Sequence, residues 1–331
     1  MVRIRKANYF DKFRFKKMIS FLSNDLINHY TKVFMNFPFN IIHDVLPLRI
    51  KFLPESYVIE DNKEIIGMVT VSPTAGNPFK LTISRLFLEQ DYYNAGKQLI
   101  EFVISKYGAK GANTFIATID DSFDELLHLF ADGCGFRHCS SEQMWKMDTI
   151  RFTKTDNSFI RPFKNSDAQA ATMLFNDSVI THFKHSISRT KDEYIEPIFK
   201  GLSDNSKFKF VIEDENLKTL KAYFSINTND NLNYILDVTT SAWYDCSWED
   251  ILHFTINQIS NRQKEFFLFV KVKKYTTTSE GFEQYLVEKG FKCIQNQLIL
   301  VKDFYKLIKE PEQTHRIVLF NDISEKPVFK V

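Results

Sequence analysis

Val58-Ile59-Glu60-Asp61 recurs as Val211-Ile212-Glu213-Asp214, 153 positions further along the chain. Two further pairs of segments repeat at nearly the same spacing: Ile4-Arg5 returns as Ile160-Arg161, and Gly135-Phe136 returns as Gly290-Phe291. Offsets of 156, 153 and 155 residues are too constant for coincidence. A period of this length is one ordinary domain, because solenoid repeats have units of about 20–50 residues. The sequence therefore predicts two copies of one fold.

Composition limits the possible functions. The 331 residues have a net charge of +2, which argues against a nucleic-acid partner because such proteins concentrate basic charge on one face. The basic cluster Lys271-Val272-Lys273-Lys274 is expected to be a solvated face. The four cysteines form no C-x-x-C pair of a zinc site, so no metal is expected. No apolar run approaches the ~20 residues that span a bilayer, so we expect a cytoplasmic protein without a membrane partner.

Hydrophobic periodicity predicts an alternation of strands and helices in the first copy. The predicted order is strand, two helices, three strands, helix, strand, helix and strand, with the long third helix running from about Lys97 to Tyr107. Such an order is an α/β (α+β) layout with a mostly antiparallel front and one helical crossover. The second copy repeats this layout.

Two segments carry a resemblance to a known family. In the first, Asp91-Tyr92-Tyr93-Asn94-Ala95-Gly96-Lys97-Gln98-Leu99, Gly96 and Leu99 fit a Gln/Arg-x-x-Gly-x-Gly/Ala loop. Asn94 replaces the first glycine and Asp91 replaces the basic or amide residue. The second segment, Asp124 to Phe136, fits a helix that ends in Gly-Phe, but it has Ala131 where a tyrosine is common. With the element order, these segments resemble the GNAT superfamily of acyl-CoA-dependent N-acetyltransferases.

The resemblance implies a site for acetyl-CoA, or a longer acyl-CoA, in the first copy. A loop of small residues lets backbone N–H groups approach a pyrophosphate at a helix N-terminus. The implied cofactor-binding residues are Leu86, Phe87, Leu88, Asn94, Ala95, Gly96 and Lys97. The candidate catalytic residues are Ser84, Glu89 and Asp124, two of which are carboxylates that could serve as a base. Ala131 leaves the acid that protonates the departing thiolate unidentified.

The second copy departs further from the family pattern. Cys246 aligns with Asn94 and Trp248 with Gly96, so an indole ring is expected to fill the space that a pyrophosphate needs. Leu286 replaces the tyrosine, although Tyr285 is adjacent. We predict two tandem GNAT-like domains, each a mixed, mostly antiparallel sheet flanked by helices. Residues 1–150 form the candidate acyl-CoA domain, 151–310 the domain with a degenerate loop, and 311–331 a C-terminal extension.

Three hypotheses follow. The leading one is an N-acyltransferase that moves an acetyl group from acetyl-CoA to a small-molecule or peptide amine. The second is a catalytically inactive tandem GNAT protein that binds another ligand or a partner. The third is a Fem-like transferase that uses aminoacyl-tRNA, which requires a basic groove. Acceptor specificity is expected from the segments 20–56 and 176–206, and the sequence does not define the oligomeric state.

Overall fold

The computed structural model describes residues 2–8, 10–18, 54–62, 64–74, 76–88, 92–147, 159–195, 206–214, 219–228 and 230–304. The predicted extension 311–331, most of the segment 20–56 and the boundary near residue 150 lie outside these residues. The division into domains 1–150 and 151–310 therefore stays a prediction.

The described part of the first copy contains six strands and three α-helices. In chain order they are β1 (Arg3–Lys6), α1 (Asp11–Met18), β2 (Glu55–Asp61), β3 (Glu64–Thr74), β4 (Asn77–Leu88), α2 (Tyr92–Gly108), β5 (Thr114–Asp120), α3 (Asp124–His128) and β6 (Arg137–Met147). A π-helical turn, Leu129–Gly133, continues α3. The α/β layout predicted from periodicity is confirmed.

The second copy repeats this order in its described residues. Its elements are β7 (Ile160–Pro162), α4 (Ala168–Ser178), α5 (Lys184–Ile187), β8 (Ser206–Glu213), β9 (Leu220–Thr228), β10 (Asn233–Thr240), α6 (Trp248–Ser260), β11 (Phe267–Lys273), α7 (Ser279–Glu288) and β12 (Phe291–Asp303). In each copy one long helix covers the sheet, α2 in the first and α6 in the second.

The long helix of the first copy forms because its apolar residues lie on one face. Leu99, Ile100 and Val103 recur at helical spacing and are fully buried in one core with Phe115 of β5. Burying a side chain of this size contributes roughly 1.5–3 kcal/mol, as an upper estimate. The second copy has the same arrangement, in which α6 buries an apolar stripe against β10 and β11.

All twelve strands belong to one continuous sheet. Their order is β1-β2-β3-β4-β5-β12-β6-β11-β10-β9-β8-β7, which is nearly symmetric about its centre. The parallel pairs are β4–β5 and β10–β11, and the other neighbours are antiparallel. This differs from the expected two sheets because the copies exchange their last strands: β12 pairs with β5, and β6 pairs with β11.

The repeated sequence segments build the same ion-pair triad in both copies. The arginine of the first strand binds an aspartate six residues later and a glutamate on the neighbouring strand. The members are Arg5, Asp11 and Glu60 in the first copy, and Arg161, Asp167 and Glu213 in the second. A β-bulge precedes both glutamates in the register. The duplication inferred from the spacing is therefore present in side-chain contacts as well.

A third apolar core joins the copies across the central strands. Phe175 of α4 and Tyr275 of the second copy lie in it together with Cys139 of β6, which belongs to the first copy, and Val301 of β12. At its border, Lys80 at the start of β4 donates a hydrogen bond of 3.1 Å to a backbone carbonyl of the second copy, that of residue 188. The second copy thus supports the parallel strand pair of the first.

Candidate functional site

The first structural feature of the candidate site is the point where β4 and β5 separate. Their parallel ladder ends at the pair Ile83–Ala117. Beyond it, β4 stays paired with β3 as far as Leu88, and β5 pairs with β12 on its other side. Ser84 is an extra residue in β4, because the residues on either side of it are opposite consecutive residues of β3. Such a bulge bends its strand, so β4 turns away from β5 at Ser84.

The predicted catalytic residues are placed separately in the first copy. Ser84 is exposed at the bulge, where its hydroxyl donates to the carbonyl of Thr70 at 3.3 Å and accepts from Ser72 at 3.1 Å. Asp124 is exposed as the first residue of α3. No hydrogen bond or ion pair joins Ser84 to Asp124 in the described chain, and Glu89 lies outside it. Their catalytic roles stay predictions.

The N-terminus of α2 is the second feature of the site. The helix begins at Tyr92 rather than near Lys97, so the expectation that residues 92–96 form a loop is wrong. Asn94 is exposed in the first turn, and the described first turn of α2 has no acidic residue. The first amides of a helix lack intrahelical acceptors and carry the positive end of its dipole. This end of α2 is therefore suited to an anion.

Gly96 serves packing rather than an open loop. It is buried inside α2, and a Cβ atom there would lie 2.6 Å from Leu129 Cδ2 and 2.9 Å from Leu88 Cδ1. Both distances are too short for a real contact. The glycine therefore lets α2 approach the end of β4 and the π-helical turn. Since Gly96 sets the position of the helix, it also sets the position of the amides ahead of it.

The remaining predicted cofactor residues surround this helix end. Leu86, Phe87 and Leu88 form the end of β4 beyond the bulge and are partly exposed. Ala95 is buried, whereas the Lys97 side chain is 42% exposed and its Nζ lies 3.9 Å from Glu101 Oε1. The structure thus brings these residues to one corner, where β4 ends and α2 begins.

Other titratable groups near this corner have local partners. Asp120 at the end of β5 accepts hydrogen bonds from Ser122 and Gln295, which hold the pKa of its carboxyl below the usual range. His128 and Asp132 form an exposed pair at 2.7 Å, which raises the pKa of His128. Ala131 lies in the π-helical turn between these two residues, so the position where a tyrosine was considered as the general acid has an alanine.

In the second copy the corresponding strands are joined by a lysine. β10 pairs with β9 without a bulge from Tyr234 to Thr240. Lys273 of β11 is buried, donates to the carbonyl of Val238 at 3.0 Å, and forms an ion pair with Asp237. Burial acts to raise the pKa of Asp237, but the positive charges of Lys273 and its neighbours outweigh it and hold this pKa below the usual range. The ammonium group therefore links β10 and β11 beyond the last pair of their parallel ladder.

The helix end of the second copy is also closed to an anion. Ser247 caps α6 by accepting a hydrogen bond of 3.2 Å from the amide of Asp250. Glu249 and Asp250 place two negative charges in the first turn. The Trp248 ring packs over Gly281 of α7, at 3.2 Å from the position of a Cβ atom there. The cap and the two carboxylates therefore disfavour a phosphate, and the indole that the sequence suggested for this role is packed against α7.

The sequence interpretation missed a group of charged side chains in the second copy. The predicted solvated face Lys271–Lys274 is wrong because Lys273 is buried and Lys271 pairs with Glu142 at 2.8 Å. Their carboxylate partners are visible in the sequence as acidic residues within apolar strands. Only the register, which sets Glu142 of β6 opposite Lys273 of β11, brings them together.

The described residues contain no group of three or more His, Cys, Asp and Glu side chains placed to hold a metal ion. Among their helices, none combines the length and the apolar character that crossing a bilayer requires.

Comparison with protein families matches residues 25–136 to the acetyltransferase (GNAT) family. A comparison with curated proteins gives no match. Among solved structures, a tandem GNAT protein from the clavulanic acid biosynthesis pathway is 9% identical with a TM-score of 0.57, and the match covers 92% of this chain and 98% of that one.

Two other structures are similar over nearly the whole chain. A GCN5-related N-acetyltransferase from Sphaerobacter thermophilus is 10% identical, with a TM-score of 0.54 and coverage of 91% and 95%. A putative acetyltransferase from Pyrococcus horikoshii is 9% identical, with a TM-score of 0.53 and coverage of 92% and 90%. At such identities these likenesses establish the fold, which spans both copies.

Proposed function

We propose that the N-terminal copy of this tandem GNAT superfamily protein is an acyl-CoA-dependent N-acyltransferase, with acetyl-CoA as the acyl donor and an amine as the acceptor. The family match to residues 25–136 supports the class of reaction, since it lies within the first copy. The observation that carries the proposal is the contrast at the helix ends. The described first turn of α2, which starts at Tyr92 beside a bulged strand, has no acidic residue, whereas α6 is capped by Ser247 and has two acidic residues in its first turn.

The corner between β4 and α2 has the chemistry that a pyrophosphate needs. The first-turn amides of α2 supply N–H donors and a positive dipole end. Gly96 holds this helix against Leu88, so the amides stand directly beside the last residues of β4. In the proposed complex the diphosphate lies at the N-terminus of α2, and the thioester lies along β4 beyond Ser84.

Acyl transfer to an amine needs a neutral amine and protonation of the departing thiolate. The exposed carboxylate of Asp124 and the hydroxyl of Ser84 are the described candidates for proton transfer in the first copy. Glu89 follows β4 directly in the sequence and is the third candidate. The acceptor is proposed to be a small-molecule or peptide amine.

Binding of coenzyme A is the direct test, because it requires no knowledge of the acceptor. Isothermal titration of the full chain should give a 1:1 complex. Asn94→Asp places in α2 the negative charge that Asp250 places in α6, and it should weaken binding about tenfold, or ~1.4 kcal/mol. The change is nearly isosteric and an acid in a first helical turn is stabilising, so weaker binding cannot be attributed to unfolding.

Gln98→Glu is the matched control because it adds the same charge to an exposed position four residues further along α2. It should leave the affinity within about twofold, since the dipole effect is confined to the first turn. A wild-type chain that does not bind coenzyme A would remove the proposal and favour a catalytically inactive tandem protein. Binding that is equally sensitive to both substitutions would move the diphosphate away from the N-terminus of α2.

A further inference from the structure

The second copy contains a charged cluster beside α4, formed by Glu142, Arg189, Asp237, Lys271 and Lys273. Its two carboxylates already have partners. Glu142 accepts from Lys271 at 2.8 Å and from the Tyr275 hydroxyl at 2.6 Å. Asp237 is paired with Lys273. The side chains of Asp237 and Lys271 are nevertheless 21% and 27% exposed, so solvent reaches the charged cluster.

Arg189 is the one cation of the charged cluster without a carboxylate within 4.0 Å among the described residues. Its hydrogen-bonding side-chain partner is the hydroxyl of Tyr194, at a long 3.4 Å. Its guanidinium lies 4.1 Å from the ring centre of Phe175, and Lys273 lies 5.5 Å from the same ring. A guanidinium has five N–H donors, so most of this group's hydrogen-bonding capacity is unused by those partners.

The position of Arg189 is fixed before any ligand binds. Asn176 of α4 donates to the Arg189 carbonyl at 3.0 Å and accepts from its amide at 2.8 Å. The ring of Phe175 is completely buried and packs against the guanidinium, which limits the movement of that group. A planar guanidinium held in this way suits the two oxygens of a carboxylate, to which it can donate two parallel hydrogen bonds.

The charge of this cluster selects the ligand. Arg189, Lys271 and Lys273 contribute three positive charges, and Glu142 and Asp237 contribute two negative ones. A monoanion neutralises the remaining charge, whereas a phosphate dianion would give the cluster a net negative charge beside the carboxylates of Glu142 and Asp237. We propose that a small monocarboxylate binds at this charged cluster, with Arg189 as its anion-binding group. This assignment is independent of acyl-CoA binding by the first copy.

Chemical labelling tests the site on the wild-type chain. Phenylglyoxal modifies the guanidinium groups that it can reach, and the modified arginines are located by mass spectrometry. Propionate at constant ionic strength should slow the modification of Arg189 about fivefold or more, relative to chloride. Arg262 is the internal control, because it is exposed and its guanidinium also stacks on a ring, that of Phe208 at 3.8 Å. Its modification should not change.

A second experiment measures affinity. Propionate binding, followed by chemical shifts in the full chain, should weaken about tenfold in Arg189→Lys, which keeps the charge but loses the planar pair of donors. Arg262→Lys should bind as wild type does. Equal protection of Arg189 by phosphate would overturn the carboxylate preference. The site would be overturned if phenylglyoxal did not modify Arg189. It would also be overturned if propionate protected Arg189 no more than it protects the other arginines.

Discussion

The two copies differ most where their parallel strands end. In the first copy the ladder between β4 and β5 stops at Ile83, and the inserted Ser84 bends β4 away. In the second copy β10 is regular, and Lys273 links it to β11 through a carbonyl and a carboxylate. One inserted residue in β4 and one buried lysine in β11 therefore distinguish a strand pair that ends at a bulge from one that is linked beyond its ladder.

The frame around these ends is the same in both copies. Each copy keeps its arginine triad, its hairpin bulge and a glycine with positive φ before the last strand, Gly135 and Gly290. These features fix the strand positions, so the site can change without loss of the fold. The comparison indicates that the strand ends can differ between the copies of a duplicated scaffold while the frame around them stays the same.

The largest expected effect tests the link that Lys273 makes between β10 and β11. Lys273→Met removes the cation between β10 and β11 and leaves the Asp237 carboxylate without its ion-pair partner. Removing one member of a buried pair costs about 3–5 kcal/mol, so the urea-unfolding midpoint of the second copy should fall strongly. Hydrogen exchange of the β10 and β11 amides locates the loss.

Two further variants sharpen this result. The double variant Lys273→Met with Asp237→Leu should recover most of the stability, because replacing both members by apolar residues is often neutral. Lys17→Met removes an 82% exposed lysine of the first copy and should change stability by less than about 0.5 kcal/mol. If the single and double variants were equally unstable, the lysine would contribute through packing and not through its ion pair with Asp237.

The duplicated frame could be predicted from the sequence because its physical requirements are local. The arginine and the aspartate of the triad are six residues apart in both copies, as Arg5 and Asp11 are in the first. The tetrapeptide that starts at Val58 supplies the glutamate. The corner where β4 meets α2 was predicted for the same reason. Its members, from Leu86 to Lys97, are close in the chain, although the start of α2 was placed five residues too late.

The exchange of β6 and β12 could not be predicted. Both strands follow a Gly-Phe turn or contain its Phe at the end of their copies, and local periodicity does not show which distant strand each one pairs with. The burial of Lys273 depends on Asp237, which is distant in the sequence and is brought close by the strand register. Local charge patterns cannot reveal such a partner, which is why the predicted solvated face was wrong.

A smaller effect concerns the far end of α2 and the dependence of stability on pH. There, Glu55 accepts hydrogen bonds from Tyr57 and Tyr107. In the second copy the repeat spacing places Phe208 at the position of Glu55. Burial acts to raise the pKa of Glu55, but the two tyrosine hydroxyls outweigh it and lower this pKa to about 2. The lowered pKa stabilises the first copy above about pH 4.5, and this contribution is lost as the pH falls towards 2.

Because the Glu55 side chain is 30% exposed, we expect a loss of no more than about 2 kcal/mol over this range. Tyr107→Phe removes one donor, so it should raise the pKa of Glu55 and shift the loss to higher pH. Tyr285→Phe in the second copy is the control, because its ring packs beside Trp248 at 5.6 Å and it should leave the acid transition unchanged. An acid transition that moves equally in both variants would contradict this assignment.

The smallest effect tests whether packing or ligand access requires the glycine of α2. Gly96→Ala should lower the stability of the first copy by about 1 kcal/mol, because the added methyl group displaces Leu129 and Leu88, while their flexible ends and the better helix propensity limit the cost. Gly108→Ala, where a Cβ atom meets no neighbour within 4 Å, should raise stability by about 0.5 kcal/mol. Urea midpoints distinguish the two signs. If Gly96→Ala instead kept wild-type stability and abolished coenzyme A binding, the glycine would act at the ligand. The two copies would then differ in ligand access at this position, and not only in the bulge of β4 and the acidic first turn of α6.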